Sequence, residues 1–160
     1  MKLQSSNAYK ISEFTRLFGD TNIIVEEGKD LKEVLGSIDE VVVYKSKAAG
    51  MDILIEDSTM IVNGKEEVEI KWKFGTLKTG DKVDWIVSLG VWVNEEIRVY
   101  KGVISTIVDR GRGDEGVAFD IEKDLIDPRA MAVRKLLSGK PDFTIEVDKM
   151  REWEGEWQND

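Results

Sequence analysis

The chain has 160 residues, 23 basic and 32 acidic side chains, a net charge of −9 and a 41% hydrophobic content. That size and balance describe a soluble globular domain with a sizeable core, not a disordered or fibrous chain. With no cysteine and no histidine, it can form no disulfide, thiolate centre or histidine-based triad, and almost no zinc site.

What remains is chemistry on carboxylates, lysines and hydroxyls, with an oxygen-loving cation such as Mg²⁺ as the natural cofactor. So acidic a chain lacks the basic face that a nucleic-acid polymer needs, although a local basic cluster suffices for a small phosphate ligand. No apolar run suggests a signal peptide or a membrane span. A cytoplasmic protein without a membrane partner is expected.

In chain order, residues 2–4 begin a short strand that leads into a helix over 7–18. There Ile11, Phe14, Leu17 and Phe18 recur at helical spacing and Gly19 ends the run. "NIIVEE" (22–27) reads as a second strand. Residues 38–49 carry Val41-Val42-Val43, which favours a strand. However, Ile38, Val41, Val42, Lys45, Ala48 and Ala49 share one helical face before Gly50, and a helix is expected. "MDILIED" (51–57) is a short buried strand ending in acids.

Four antiparallel strands are expected next: "VEIKWKF" (68–74), "WIVSLGVWV" (85–93), "EIRVYKG" (96–102) and "VISTIVDRG" (103–111). Pro128 opens a helix over 129–137, and 143–153 forms another. Helix–strand alternation followed by consecutive strands predicts an α/β fold of mixed α+β character. It is a single domain over 1–160 with a central mixed sheet flanked by helices.

Two kinds of cluster stand out along this frame. "SSNAYKISEF" (5–14) sets Ser5, Asn7 and Lys10 at the mouth of the first helix. They read either as a helix cap beside a solvated lysine or as a phosphate grip of hydroxyl, amide and ammonium. "DLKEVLG" places Asp30 and Glu33 in a loop, and "ILIEDS" places Glu56, Asp57 and Ser58 at a strand end. Such acids read as solvated turns or, at the carboxyl edge of an open sheet, as a place for metal and phosphate chemistry.

Read in order, "SSNAYKISEF", "DLKEVLG", "EVVVYKSKAAG", "ILIEDS", "YKGVIS", "RGRGDEGVAFD" and "EKDLIDPRAMAVRKLL" resemble the inosine triphosphate pyrophosphatase family, of the Maf/Ham-type superfamily. The resemblance runs from about residue 2 to residue 137. It implies hydrolysis of aberrant purine nucleoside triphosphates, such as ITP, XTP and dITP, to monophosphate and pyrophosphate. It also implies a Mg²⁺ cofactor and a homodimer.

The family's Ser/Thr-x-Asn-x-x-Lys grip on the triphosphate falls on Ser5, Asn7 and Lys10. Its loop glutamate and strand-end acid fall on Glu33 and Asp57, which would hold Mg²⁺, with Asp57 as the base for the attacking water. Ser58 matches a substrate-contacting hydroxyl, and Lys45 and Lys71 match phosphate lysines.

The base-recognition end is similar but altered. Asp120 matches the aspartate of the family's Gly-aromatic-Asp-Pro signature, with Ile121 in place of the proline. Lys123 precedes Arg129 by six residues, as in the family. The usual Ser-His-Arg reads Asp127-Pro128-Arg129, and the stacking aromatic falls on Val117. Segments after the strand-end acid and between the aspartate and the lysine are missing. The resemblance thus implies a shortened member with an intact phosphate end and a remodelled base pocket. Two alternatives stand beside it: a pyrophosphatase for ordinary or modified deoxynucleotides, pyrimidines included, and a nucleotide-binding remnant without turnover.

Overall fold

An N-cap and an apolar stripe together make the first helix. Asn7 holds extended backbone while its Oδ1 accepts the amides of Tyr9 (3.0 Å) and Lys10 (3.2 Å), which satisfies two of the orphan donors of α1 (Ala8–Phe18). Phe14 and Phe18, one turn apart, are fully buried and stacked on each other. The computed structural model describes residues 1–67, 78–107 and 128–158.

Around this helix run β1 (Lys2–Ser5), β2 (Ile24–Glu27), α2 (Ile38–Ala49), β3 (Ile53–Val62) and β4 (Lys65–Glu67). Then come β5 (Lys82–Val93), β6 (Glu96–Ile107), α3 (Pro128–Leu137) and β7 (Phe143–Glu146). The sheet order is β2-β1-β3-β5-β6-β7, with β4 paired to the edge of β3 opposite β5. The β1 strand pairs parallel with both β2 and β3, and the pairs from β3 onward are antiparallel. This is the mixed sheet that alternating and then consecutive elements predict.

Period-two alternation divides the core between two faces. Leu54 of β3 packs with Leu3, Phe14, Phe18, Ala132 and Val133, on the side of α1 and α3. Its neighbour Ile55 packs with Val42, Val43, Ile97 and Val99, on the side of α2.

The α2 segment resolves as a helix despite its valine run because its start is doubly capped. Ser37 Oγ accepts from the Glu40 amide (3.2 Å), and Glu40 Oε1 accepts from the Ser37 amide (3.0 Å). The helix then sits close on β5 at Gly90. A Cβ there would meet Val42 Cγ2 at 2.9 Å and overlap the Ser46 hydroxyl, itself buried and bonded to Val42 O.

Several expectations need correction. The stretches 96–102 and 103–111 are not two strands: β6 runs unbroken from Glu96 to Ile107. Gly102 is no turn; it makes room for α3, because a Cβ there would collide with the Pro128 backbone. Residues 143–153 are not a helix. Phe143 and Ile145 alternate with exposed Thr144 and Glu146, pair with β6 as β7, and pass into a 3₁₀ turn at Val147–Lys149. The β3 strand extends beyond Asp57 to Val62 and turns at Asn63-Gly64, both at positive φ. An Asn-Gly pair is a strong hairpin signal, and it accounts for the turn. The expected strand at 68–74 lies outside the described residues. No helix among the described residues is long and apolar enough to cross a membrane.

Candidate functional site

The strands β1 and β3 run parallel side by side; β1 ends at Ser5 at the rim of one cleft, where β3 passes through Glu56 and Asp57 on its way to Val62. Ser5 closes β1, and Asn7 and Lys10 open α1. Alternation along β3 sends Glu56 toward α1 and its neighbour Asp57 toward α2. Each acid therefore meets a lysine from a different helix. Lys10 Nζ lies 3.0 Å from Glu56 Oε2. On the other face Lys45 Nζ lies 3.0 Å from Glu33 Oε1 and donates to the Glu56 carbonyl at 3.4 Å, while Asp57 feels its charge.

Ser5, Asn7, Lys10, Glu33, Lys45, Glu56 and Asp57 all line one cavity of about 720 Å³. Six of the residues expected at the phosphate end thus line one cleft, and Glu56 joins them. The helix cap read from the 5–14 stretch is present, and Asn7 also lines the cleft. Its oxygen is spent on the cap, which leaves its amide nitrogen to donate. Ser5 Oγ accepts the Asn7 amide at 3.1 Å, so the hydroxyl proton is available to donate.

Glu56 is the residue whose part the sequence pattern understates. Its side chain is only 1% exposed, and it accepts from the Ser58 hydroxyl as well as pairing with Lys10. The signal is present in "ILIEDS": strand alternation puts the glutamate and the aspartate on opposite faces, so both can serve. Gly28 is a second residue that the motifs leave out. Its amide donates to Ser5 O at 3.0 Å, and a Cβ there would meet Gln4 Cβ at 2.6 Å. Only glycine lets the loop after β2 close this rim of the cleft.

Burial and charge act together on Asp57. Burial pushes its carboxyl up to about 7, with the Glu33 and Glu56 charges adding to the rise and Lys45 and Lys10 opposing it. Burial acts to lower the Lys45 ammonium, but Glu33, Asp57 and Glu56 outweigh it and the net movement is upward. Lys45 is thus firmly charged, whereas Asp57 exchanges its proton near neutrality.

The remaining expected residues fall elsewhere. Ser58 gives its hydroxyl to Glu56 and lines an adjoining cavity of about 350 Å³ with Glu33 and Asp57. Arg129, at the start of α3, is 8% exposed and lies between the rings of Trp85 (4.9 Å) and Tyr9 (5.6 Å). It is not among the residues lining the main cleft. Lys71, Asp120 and Lys123 lie outside the described residues, as do Val117, Ile121 and Asp127.

Glu33 and Asp57 suit a divalent cation by the chemistry of their donors. Both are hard oxygen ligands, and the carboxylates around Asp57 raise it in a way that a bound dication would reverse. Among the described residues no three acidic side chains converge as a ready-made cage. Mg²⁺ needs none, because it usually binds through one or two carboxylates, with waters and substrate phosphates completing its shell.

Comparison with known proteins adds the frame. No protein-family model matches the sequence, and no curated protein matches it. Among solved structures, the Ham1 protein of Staphylococcus aureus superposes with a TM-score of 0.57 at 17% identity, over 87% of this chain and 97% of that one. The fold is similar to that of Ham1. Nearly the whole of Ham1 is matched, so the similarity covers the sheet and its helices together. At 17% identity the likeness is one of fold, and the chemistry of the cleft must be argued from the side chains of this chain.

Proposed function

We propose that this protein is a Mg²⁺-dependent nucleoside triphosphate pyrophosphatase, acting on purine triphosphates such as ITP, XTP or dITP. The observation that carries the proposal is the convergence of Lys10 and Lys45, from two helices, on a cleft that also holds Glu33, Glu56 and Asp57. Two ammonium groups and a capped helix N-terminus suit a polyphosphate. The Ham1-like frame and the ordered sequence resemblance support the same reading.

In the proposed reaction Ser5, Asn7 and Lys10 hold the phosphate tail, and Lys45 reaches the reacting end. The Lys45–Glu33 pair keeps both charges aimed into the cleft until a phosphate and a cation offer each a new partner. Glu33 and Asp57 would hold Mg²⁺, which when bound supplies Lewis-acid neutralisation of the phosphate charge. Asp57 takes a proton from the attacking water. The water oxygen bonds to the α-phosphorus, the bond from that phosphorus to the bridging oxygen breaks, and pyrophosphate leaves with that electron pair.

A second reading concerns the base. Arg129, which the resemblance places at the base-recognition end, lies near the Trp85 and Tyr9 rings and outside the main cleft lining. That placement favours altered selectivity, toward ordinary or modified deoxynucleotides. A pyrophosphate-release screen over common and deaminated ribo- and deoxynucleoside triphosphates with Mg²⁺ tests both readings. Pyrophosphate with the purine set supports the first, and release with ordinary or pyrimidine deoxynucleotides supports the second. Triphosphate binding without release of pyrophosphate would leave a binding protein and overturn both.

A further inference from the structure

Glu33 sits in a loop with little regular structure of its own, between β2 and α2. Gly28 ties the loop's start to β1, and the Ser37 capping box fixes its end. Its middle is held by a segment more than a hundred residues away in sequence. The Gln158 amide donates to Glu33 O (2.9 Å), the Leu35 amide donates to Glu156 O (2.9 Å), and Val34 and Trp157 form an antiparallel bridge. Val34 is 2% exposed as a result.

The same segment is pinned to α2. Trp153 packs against Gly36, where a Cβ would come within 2.8 Å of its ring. It also meets the Tyr44 ring edge-on at 5.3 Å, and its Nε1 donates to Glu156 O at 2.7 Å. The Tyr44 hydroxyl donates to Arg151 O at 2.8 Å. Tyr44 immediately precedes Lys45, the ion-pair partner of Glu33. One strand of chain therefore braces both ends of the Lys45–Glu33 pair.

We infer that residues 150–158 form a strap that positions the Glu33 carboxylate for its cation, with Trp153 and Trp157 as positioning residues. This rests on the proposed role of Glu33 as a metal ligand. A loop fixed by two backbone bonds presents its carboxylate in one place. A loop released from them loses that placement while the grip built on β1 and α1 stays intact, because no bond described for the strap reaches Ser5, Asn7 or Lys10.

Three measurements on the full-length chain test this, using Trp157→Ala (the ring is 40% exposed, so folding tolerates its loss), Trp153→Ala and Trp153→Phe. Amide exchange by NMR should show Leu35 exchanging at least tenfold faster in both alanine variants, with Val41, bonded inside α2 to Ser37 O, unchanged. Binding of Mn²⁺ alone, followed by electron paramagnetic resonance, should weaken about tenfold. In turnover assays the Mg²⁺ concentration for half-maximal rate should rise about tenfold, while the nucleotide KM at saturating Mg²⁺ stays within about threefold.

Trp153→Phe keeps an aromatic ring beside Tyr44 but loses the indole N–H bond to Glu156 O, and should recover part of each effect. Equal acceleration of exchange at Leu35 and Val41 would show a purely global role and overturn the inference. So would alanine variants that bind Mn²⁺ as tightly as wild type, or a wild-type protein that binds none. A wild type that binds Mn²⁺ but hydrolyses no triphosphate overturns the pyrophosphatase reading instead, leaving the strap to be judged by exchange and Mn²⁺ binding.

Discussion

Replacing Asp57 by Asn should make the metal-free protein more stable, and increasingly so as the pH rises. In the unfolded chain this carboxyl loses its proton near 3.8, whereas in the fold it holds the proton up to about 7. The folded state therefore binds more protons over that interval, and the ionised form carries a penalty that grows with pH until the folded group has titrated. The full difference corresponds to about 4 kcal/mol at 1.36 kcal/mol per tenfold change in ionisation. Asp57 is partly exposed, and solvent screening roughly halves this to about 2 kcal/mol. For a chain of this length that is a gain of about 4–8 °C in Tm near pH 8.5, falling to less than half near pH 5. The assay is thermal unfolding of wild type and Asp57→Asn in parallel with a chelator present, so that shared acid effects cancel in the difference. Mg²⁺ should then raise the Tm of wild type, most at high pH, and leave the variant nearly unmoved. Turnover of the variant should fall by about 10²–10⁴ as the base is lost. A Tm difference that is flat from about pH 5 to about pH 8.5, or a variant less stable than wild type at the upper end, would refute the charge crowding argued for the cleft.

Lys10→Ala should weaken triphosphate binding about 10- to 150-fold, the equivalent of losing about 1.5–3 kcal/mol of charge-assisted contact, and leave nucleoside binding alone; isothermal titration with both ligands checks this, and equal losses would assign Lys10 to folding. Glu56→Gln leaves the Lys10 ammonium without its anionic partner and should cost about 1–3 kcal/mol in urea unfolding. A double-mutant cycle with Lys10→Ala in which the two losses simply add would rule that coupling out. Gly90→Ala should destabilise by about 1–3 kcal/mol through overpacking of α2 on β5, and adding Ser46→Ala should recover part of that loss in the same urea assay by removing the overlapped hydroxyl.

How much of this is legible without the structure depends on how local each signal is. The α1 cap, the α2 capping box and the Phe14–Phe18 stripe depend on neighbours within a turn or two, and the sequence displays them directly. Ser5, Asn7, Lys10, Glu33, Lys45 and Asp57 are legible through the ordered resemblance rather than through local pattern, since they sit at a strand end, at a helix start, in a loop, within α2 and within β3. The part of Glu56 is not, because a list of carboxylates ignores which face each one takes; alternation on β3 separates Glu56, paired with Lys10, from Asp57, which feels the Lys45–Glu33 pair. Residues 143–153 mislead because a four-residue strand shows only two inward positions, too few to tell period two from a helical turn. The strap is invisible for another reason. Its pairing of Trp157 with Val34 is set by tertiary contact across more than a hundred residues, and no local periodicity reports that.

The division of labour across β3 also bears on how so acidic a chain would carry the proposed polyphosphate site. Burial in the cleft acts to lower the Lys45 ammonium. Glu33 at 3.0 Å, with Asp57 and Glu56, outweighs that and keeps it charged, while Lys10 pairs with Glu56 at 3.0 Å. The cost falls on Asp57, which lies between them with two other acids nearby and cannot ionise freely. A triphosphate arriving without a cation would add negative charge to that crowd. On the proposed function, one arriving with a divalent cation would relieve it, drawing Glu33 and Asp57 to the metal and freeing Lys45 for phosphate. The same charge crowding would then favour the cation-bound nucleotide over the nucleotide alone. That preference follows from the count and placement of charges, whatever base the site accepts.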